Sequence, residues 1–598
     1  MLRSTFLILT ISFLACTSRK ERIPDSAPMR TKTDKVVIYQ MMTRLFGNIK
    51  SVNRRYGTRD ENGVGKFNDI TPAALAGIKE LGVTHIWYTG VIEHALLSDY
   101  TANGIPLDDA DVVKGRAGSP YAIKDYYDVN PDLAVDVANR LAEFDALVQR
   151  THDAGLKVII DFVPNHVARK YQSDVKPEGI VDLGAEDDVS VPFKPSNNFY
   201  YLPGHSFTPP RGYVPLGDNE FPTKDGRLEE VPAKVTANDK FVATPSVDDW
   251  FEAVKLNYGV DVQKGTTHFD SIPNTWHKMR DILLYWSARS VDGFRCDMAE
   301  MVPVEFWNWV IPQIKEMNPK LIFIAEIYNP AQYRNYIRQG GFDYLYDKVE
   351  LYDTLRRVIE RGTGTAGIAK VQDGLRDISD RMLHFLENHD EQRIASRFFA
   401  GDPWKAVPAM TISATIDQGP VMIYFGQEVG EKGEGSEGFG DDDGRTTLFD
   451  YWGVPAHQAW MNNGKFDGAL LTDEQRQLRQ YYSDILQLAR DNQAIAAGEY
   501  FDLTEYNQAN GNMPESIHAF ARFLGEERLV IVSGFNKQLQ GINVTLPQEL
   551  VQRMQLEDDV KYIGRDLLRS GMDIGLDENY TFHMEVMPFN SYVIKIKK

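Results

Sequence analysis

Apolar runs that stop at a carboxylate recur along this chain, and that repetition limits its folding more than any other feature. They are Val158-Ile159-Ile160-Asp161, Val291-Asp292-Gly293-Phe294-Arg295-Cys296-Asp297, Leu321-Ile322-Phe323-Ile324-Ala325-Glu326 and Met382-Leu383-His384-Phe385-Leu386-Glu387-Asn388-His389-Asp390. Runs of this length read as strands buried on both faces of a parallel sheet. Four further runs, Val36–Met41, Val83–Tyr88, Phe342–Tyr346 and Pro420–Phe425, complete a set of eight. Helical patterns lie between them. Thr71 is placed to cap one, with Pro72 at its first position, and Leu141, Phe144, Leu147 and Val148 share a face of another that Gly155 stops. Strand–helix alternation with right-handed crossovers predicts an α/β fold, a (β/α)8 TIM barrel.

The rhythm breaks between residues 167 and 273, a stretch rich in Pro, Gly, Asn and Asp with little helical periodicity. So long an unstructured linker is improbable inside a compact domain, so the stretch reads as a small inserted domain after strand three. Barrel segments at 35–166 and 274–493 flank it. From 494 to 598, short β-type runs such as Ser516–Phe523, Leu529–Ser533, Ile542–Leu546 and Ser591–Ile596 predict a C-terminal antiparallel β-sandwich. Gly426–Arg445 is a Gly- and acid-rich loop, either solvated or a substrate-side lid; Asp441 to Asp443 within it read as a solvated face.

Lys and Arg total 65 against 85 Asp and Glu, a net charge of −20. That sign argues against nucleic acid or an anionic membrane as partner and is indifferent to a neutral, hydroxyl-rich one. With only Cys16 and Cys296 there is no disulfide framework. Arg3 and the short apolar run Phe6–Ala15 have the form of a signal peptide. Leu14-Ala15-Cys16 resembles a bacterial lipoprotein cleavage box, although Phe13 departs from the usual aliphatic residue and leaves ordinary secretion open. The expectation is a signal peptide at 1–16, Cys16 as lipidated first mature residue, and a flexible tether at 17–34. The protein is then extracytoplasmic, periplasmic or outer-membrane attached, touching membrane only through that lipid anchor.

Side chains alternate along a strand, so Arg295 and Asp297 project together, and the guanidinium is expected to keep Asp297 ionised. Asp297, Glu326 and Asp390 close strands four, five and seven, and in a β/α barrel the strands' C-terminal ends meet at one mouth. Two facing carboxylates, one anionic and one protonated, suit glycosidic bond cleavage. Glu326 lies among Ile324, Ala325 and Ile327, where desolvation favours the acid form. Singly, such an Asp is more often a cap and His166 or His389 a structural histidine; the ordered set is what carries the reading.

That set resembles the α-amylase family, glycoside hydrolase family thirteen. Asp161-Phe162-Val163-Pro164-Asn165-His166, Gly293–Asp297, Ile324-Ala325-Glu326 and Asn388-His389-Asp390 look like its four motifs in order. Tyr121–Tyr126 resembles the segment that supplies a tyrosine under the sugar ring, and Gly419–Glu428 the eighth strand. The resemblance implies a retaining mechanism with Asp297 as nucleophile, Glu326 as acid/base and Asp390 as transition-state stabiliser. Arg295, His166, His389, Tyr121 and Asp161 become substrate-binding residues. The implied substrates are starch-derived α-glucans or maltooligosaccharides, cleaved at α-1,4 bonds. A glucan transferase, an isomerase, or a catalytically silent glycan-binding protein on the same barrel are the alternatives.

Two departures stand out. Glu300 and Met301 replace a Lys-His pair common after the nucleophile, and Lys255 stands where α-amylases often have a calcium-binding aspartate. Asn165 remains a candidate ligand for a structural calcium; the chemistry itself needs no cofactor. Asp60-Glu61-Asn62-Gly63 reads as a second oxygen cluster or a plain turn. Trp87, Trp276, Trp307 and Trp452 are candidate sugar platforms, core packing being the commoner fate of tryptophan. Oligomeric state stays open.

Overall fold

The computed structural model describes residues 35–435, 441–568 and 571–598; the signal peptide, Cys16 and tether expected at 1–34 lie outside them. Barrel strands β1 (Val37–Met42), β2 (His85–Thr89), β3 (Lys157–Phe162), β4 (Gly293–Cys296), β5 (Ile322–Ala325), β6 (Tyr344–Tyr346), β7 (Met382–Leu383) and β8 (Val421–Tyr424) form an eight-stranded sheet in the order β7-β6-β5-β4-β3-β2-β1-β8. Every neighbouring pair in it is parallel. The ends meet where His384 bridges Val421, with the His384 N–H donating to Pro420 O at 2.9 Å and the Met422 N–H to His384 O at 2.8 Å. Strand seven is shorter than its apolar run suggested. Beyond His384 the chain leaves the ladder and turns, and the Asn388 side chain accepts the N–H groups of Asp390 and Glu391, both at 2.9 Å.

Helices Pro72–Lys79, Arg140–Asp153, Asn274–Ala288 and Val304–Met317 follow β1 to β4. The first begins as its sequence dictates, Thr71 Oγ1 accepting the Ala74 N–H at 3.3 Å. Inside the ring, Ile38, Trp87, Ile159, Ile324, Tyr346, Leu383 and Met422 fill one apolar core. Truncating a side chain such as Trp87 there costs about 3–5 kcal/mol. Alternation puts Gln40, Thr89, Asp161 and Glu326, two residues further along their chains, over that core and toward the mouth. On β4 the corresponding lower position is Gly293, where a Cβ would come within 2.6 Å of Ile322 and 3.2 Å of Ile159. Only glycine lets the neighbouring strands approach so closely.

The insertion after β3 carries small antiparallel pairs, Tyr201–Leu202 with Ala233–Lys234 and His166–Ala168 with Ala253–Lys255. It does not stand alone. The long connection after β2 folds back as Ile92–His94 against Ile123–Val129, and Asp111 within it accepts the N–H groups of Asp225, Gly226 and Arg227. Two loops thus build one roof over the mouth. Asp60-Glu61-Asn62 is a capped helical turn, Glu61 accepting the Thr58 N–H at 2.9 Å.

At the C-terminus a six-stranded sheet with its own apolar core faces the pair Gln540–Thr545 and Thr581–Val586. The other face of that sheet, through Phe520, Leu529, Ile531 and Val593, joins the barrel's outer core. Arg522 pins the contact, donating to Ile495 O at 2.7 Å and Ile416 O at 3.1 Å. No helix among the described residues is long and apolar enough to cross a membrane.

Candidate active site

Arg295, projecting from β4 into the mouth, is fully buried and organises the carboxylates around it. Its Nη1 donates to Asp297 Oδ1 at 2.8 Å and lies 3.6 Å from Asp161 Oδ1, while Nη2 meets Glu326 Oε2 at 2.8 Å. Nε donates to the Tyr346 hydroxyl at 3.1 Å. One guanidinium therefore holds the acids at the ends of β4 and β5 side by side. Glu326 is further fixed by the Tyr328 hydroxyl on Oε1 at 2.7 Å and the Met298 N–H on Oε2 at 2.8 Å. Met298 adopts φ 43°, a left-handed conformation uncommon for a bulky residue, and it follows the Asp297 whose neighbour Glu326 its N–H holds.

Asp390 reaches the same cavity from beyond β7, its Oδ2 at 3.1 Å from His389 Nε2. His389 stacks against Tyr121 with centroids 5.2 Å apart, its Nε2 at 2.5 Å from the Tyr121 hydroxyl and its Nδ1 at 2.8 Å from Gln40 Nε2. Asp161 accepts from Trp87 Nε1 at 3.1 Å. The cavity, about 410 Å³, is walled by Asp297, Glu326, Asp390, Tyr121 and His166 among others. Arg295, Asp161 and His389 stand in the layer behind that wall. The structure thus gathers the predicted catalytic and substrate-binding residues at one mouth, in two tiers; Asn165, the predicted metal ligand, lies outside both tiers.

The electrostatics depart from expectation at Asp297. Burial pushes its carboxyl up, and Arg295 only partly offsets this, so the net direction is upward. The reason is that Arg295 is shared: Glu326 draws on it too, and Asp161 and Asp390 add repulsion. Burial likewise pushes Glu326 up to about 7 against the pull of Arg295, with Asp297 adding to the rise. Asp390 goes the other way, since His389, Arg295 and Arg445 outweigh its burial and hold it below the ordinary carboxylate range. Burial takes His166 down to about 4, leaving a neutral ring. The arrangement can present carboxylates in different protonation states to one bound sugar.

The proposed tryptophan platforms do not survive: Trp87, Trp276, Trp307 and Trp452 are all buried in packing. Trp250, half-buried on the inserted domain, lines the cavity instead, with Glu252, Lys114, Tyr328 and Phe449. Lys114 and Glu252 form an ion pair at 2.7 Å. Tyr328 was legible as the next same-face residue after Glu326; Trp250 sits in a stretch with no periodicity to mark it.

Among the described residues, oxygen-bearing side chains that could face a metal are found in two places. Glu93, Asp125 and Asp174 bring one oxygen each within 4.8 Å of one another in the roof. Asp125 there accepts the N–H groups of Tyr127, Asp174 and Val175. Asn165 lies elsewhere, below the insertion, donating through Nδ2 to Ala237 O and His166 Nδ1, both at 3.1 Å. Its surroundings include a lysine and do not fit a calcium, which takes six to eight oxygens and prefers carboxylates.

A parallel eight-stranded barrel with a carboxylate cluster at its C-terminal mouth defines a β/α-barrel protein with acid–base potential. Residues 52–465 match the family described as "Alpha amylase, catalytic domain". The chain belongs to the α-amylase family. It is 25% identical over 401 residues to the α-amylase MalA of Haloarcula japonica, covering 66% of this chain and 44% of that one. It is 22% identical over 445 residues to α-amylase 3 of Dictyoglomus thermophilum, covering 70% and 74%. The chain thus spans less than half of the first relative and about three quarters of the second. A solved α-amylase of Geobacillus thermoleovorans, complexed with acarbose, superposes with a TM-score of 0.60 at 20% identity, covering 94% of this chain and 98% of that one.

Proposed function

We propose that this protein is a retaining glycoside hydrolase that cleaves α-1,4 bonds in maltooligosaccharides or related α-glucans. The observation that carries this is one guanidinium ion-paired with two carboxylates at 2.8 Å each, both on the wall of a single cavity that a third carboxylate completes. Asp297 attacks the anomeric carbon as the glycosidic C–O bond breaks, and Glu326 gives its proton to the departing oxygen. Water then loses a proton to Glu326 and delivers hydroxide to the same carbon, releasing Asp297. Asp390, held anionic, stabilises the positive charge that develops on the ring. Arg295 is a positioning residue, since its nitrogens are engaged by protein groups. Tyr121 and His166 take the sugar's face and hydroxyls. The names of the relatives support the substrate class.

Transfer to a sugar acceptor is the second reading. It is favoured by the apolar wall of Trp250, Leu448 and Phe449, which suits a second sugar ring better than bulk water. A timed product series on starch, maltoheptaose, pullulan, cyclodextrin, trehalose and sucrose separates the two. Hydrolysis gives no product with more sugar units than the substrate; transfer gives products longer than the substrate at early times.

The place of action we propose is extracytoplasmic, through lipidation of Cys16, on the strength of the Leu14-Ala15-Cys16 box. Expression in a bacterial host with labelled palmitate tests it: label is expected in the wild type and absent in Cys16→Ser.

A further inference from the structure

At the junction of barrel and inserted domain, oxygen atoms converge on a cation supplied by the chain itself. Lys255 ends the strand Ala253–Lys255, which pairs with His166–Ala168 just beyond β3. Its ammonium lies 3.2 Å from Asp239 Oδ1 on the inserted domain and donates to Met301 O, beyond β4, at 3.3 Å. Lys255 is buried. Asn165, fully buried at the end of β3, has its Oδ1 without a hydrogen-bond partner. A carboxylate and a backbone carbonyl meet the ammonium, and the unpartnered amide oxygen belongs to the residue whose backbone carbonyl accepts the N–H of Leu256, next to Lys255, at 3.0 Å; these are the ligand types a calcium uses to join two segments.

The charges decide what can occupy this place. An aspartate at 255 would make two carboxylates with Asp239, neutralised by one divalent ion. With lysine there, the Asp239 carboxylate faces an ammonium and is already paired. A divalent ion entering now would meet a like charge at close range, with the nearest carboxylate already committed to that charge.

We propose that the Lys255 ammonium takes the place of a structural calcium, so that the insertion is fastened to the barrel without metal. The fastening bears on the cavity, because Trp250, Glu252 and Ala253 on its wall lie on the run leading into Lys255. This inference concerns the scaffold and stands whether the enzyme hydrolyses or transfers.

The test is thermal unfolding of the full protein in EDTA and in calcium chloride, for wild type, Lys255→Asp, and Lys255→Asp combined with Asn165→Ala. Wild type is expected to give the same Tm in both solutions. Lys255→Asp should fall in EDTA and recover by several degrees in calcium, and the added Asn165→Ala should abolish the recovery. If Lys255→Asp does not fold alone, its refolding yield with and without calcium is the readout. The inference is overturned if Lys255→Asp gains no response to calcium. It is equally overturned if wild type gains Tm in calcium and Asn165→Ala alone removes that gain.

Discussion

Two clusters of buried charge sit in the same barrel and are built on opposite rules. At the seam where β7 meets β8, His384 stands between Asp347 at 3.2 Å and Asp417 at 2.9 Å, and Lys35 donates to the Ala414 and Asp417 carbonyls. Although burial works against it, the two aspartates push His384 up to about 9, and His384 in turn leads the partners that hold Asp417 down despite its own burial. Burial brings Lys35 down to about 7, so His384 is the cation that answers both aspartates, with Arg522 adding to the pull on Asp417. At the mouth one guanidinium serves Asp161, Asp297 and Glu326, and the shortfall emerges as a glutamate near neutrality. Charge balance closes the barrel at one place. Withholding it at the other leaves a proton ready to be given away.

The largest effect is expected at Asp297. Asp297→Asn should lower kcat by about 10⁴-fold or more, with Tm unchanged or raised, since a crowded anion is removed; steady-state kinetics and calorimetry read both. Glu326→Gln should lower kcat/KM by about 10²–10⁴-fold on substrates with poor leaving groups, much less on activated ones. In the wild type, Glu326 must be protonated to act, so kcat/KM should fall as pH rises through about 7. The low-pH limb belongs to Asp297, which must lose its proton. Glu326→Gln should erase the upper limb.

The seam sharpens the contrast because its loss should strike stability and spare chemistry. His384→Ala leaves two buried aspartates without their cation and should cost about 3–5 kcal/mol, measured by denaturant unfolding, with kcat near wild type. A histidine whose folded pKa is raised contributes fully below its unfolded value near 6.5. That contribution is lost as pH rises through about 9, so Tm should decline over that window in wild type and less in His384→Ala. Smallest is Trp250→Ala, expected to raise KM for maltoheptaose several-fold, in keeping with about 0.5–1.5 kcal/mol for an aromatic contact.

The strands and the acids at their ends could be read from the chain because period and apolarity are local properties. Asp297 and Glu326 follow runs that only a buried strand accommodates, so their meeting at the mouth followed from the barrel. Strand seven is shorter than its sequence suggests because apolarity continues through Leu386 while the ladder stops at His384. The roof is only half legible: composition marks residues 167–273, but not the connection after β2, whose antiparallel pair looks like ordinary strand–turn sequence. Trp250 and Lys114 owe their place to that tertiary contact. The upward direction of Asp297 was likewise hidden, because a neighbouring Arg295 in sequence does not disclose how many acids share it.

In the proposed mechanism Asp297 becomes covalently attached to sugar while Glu326 acts on the leaving group. Incubating Glu326→Gln with α-maltosyl fluoride, whose fluoride departs without a proton, then mapping peptides by mass spectrometry, tests this directly. One maltosyl unit is expected on the peptide carrying Asp297. A sugar on any other carboxylate, or released maltose of inverted configuration with no adduct formed, would contradict it.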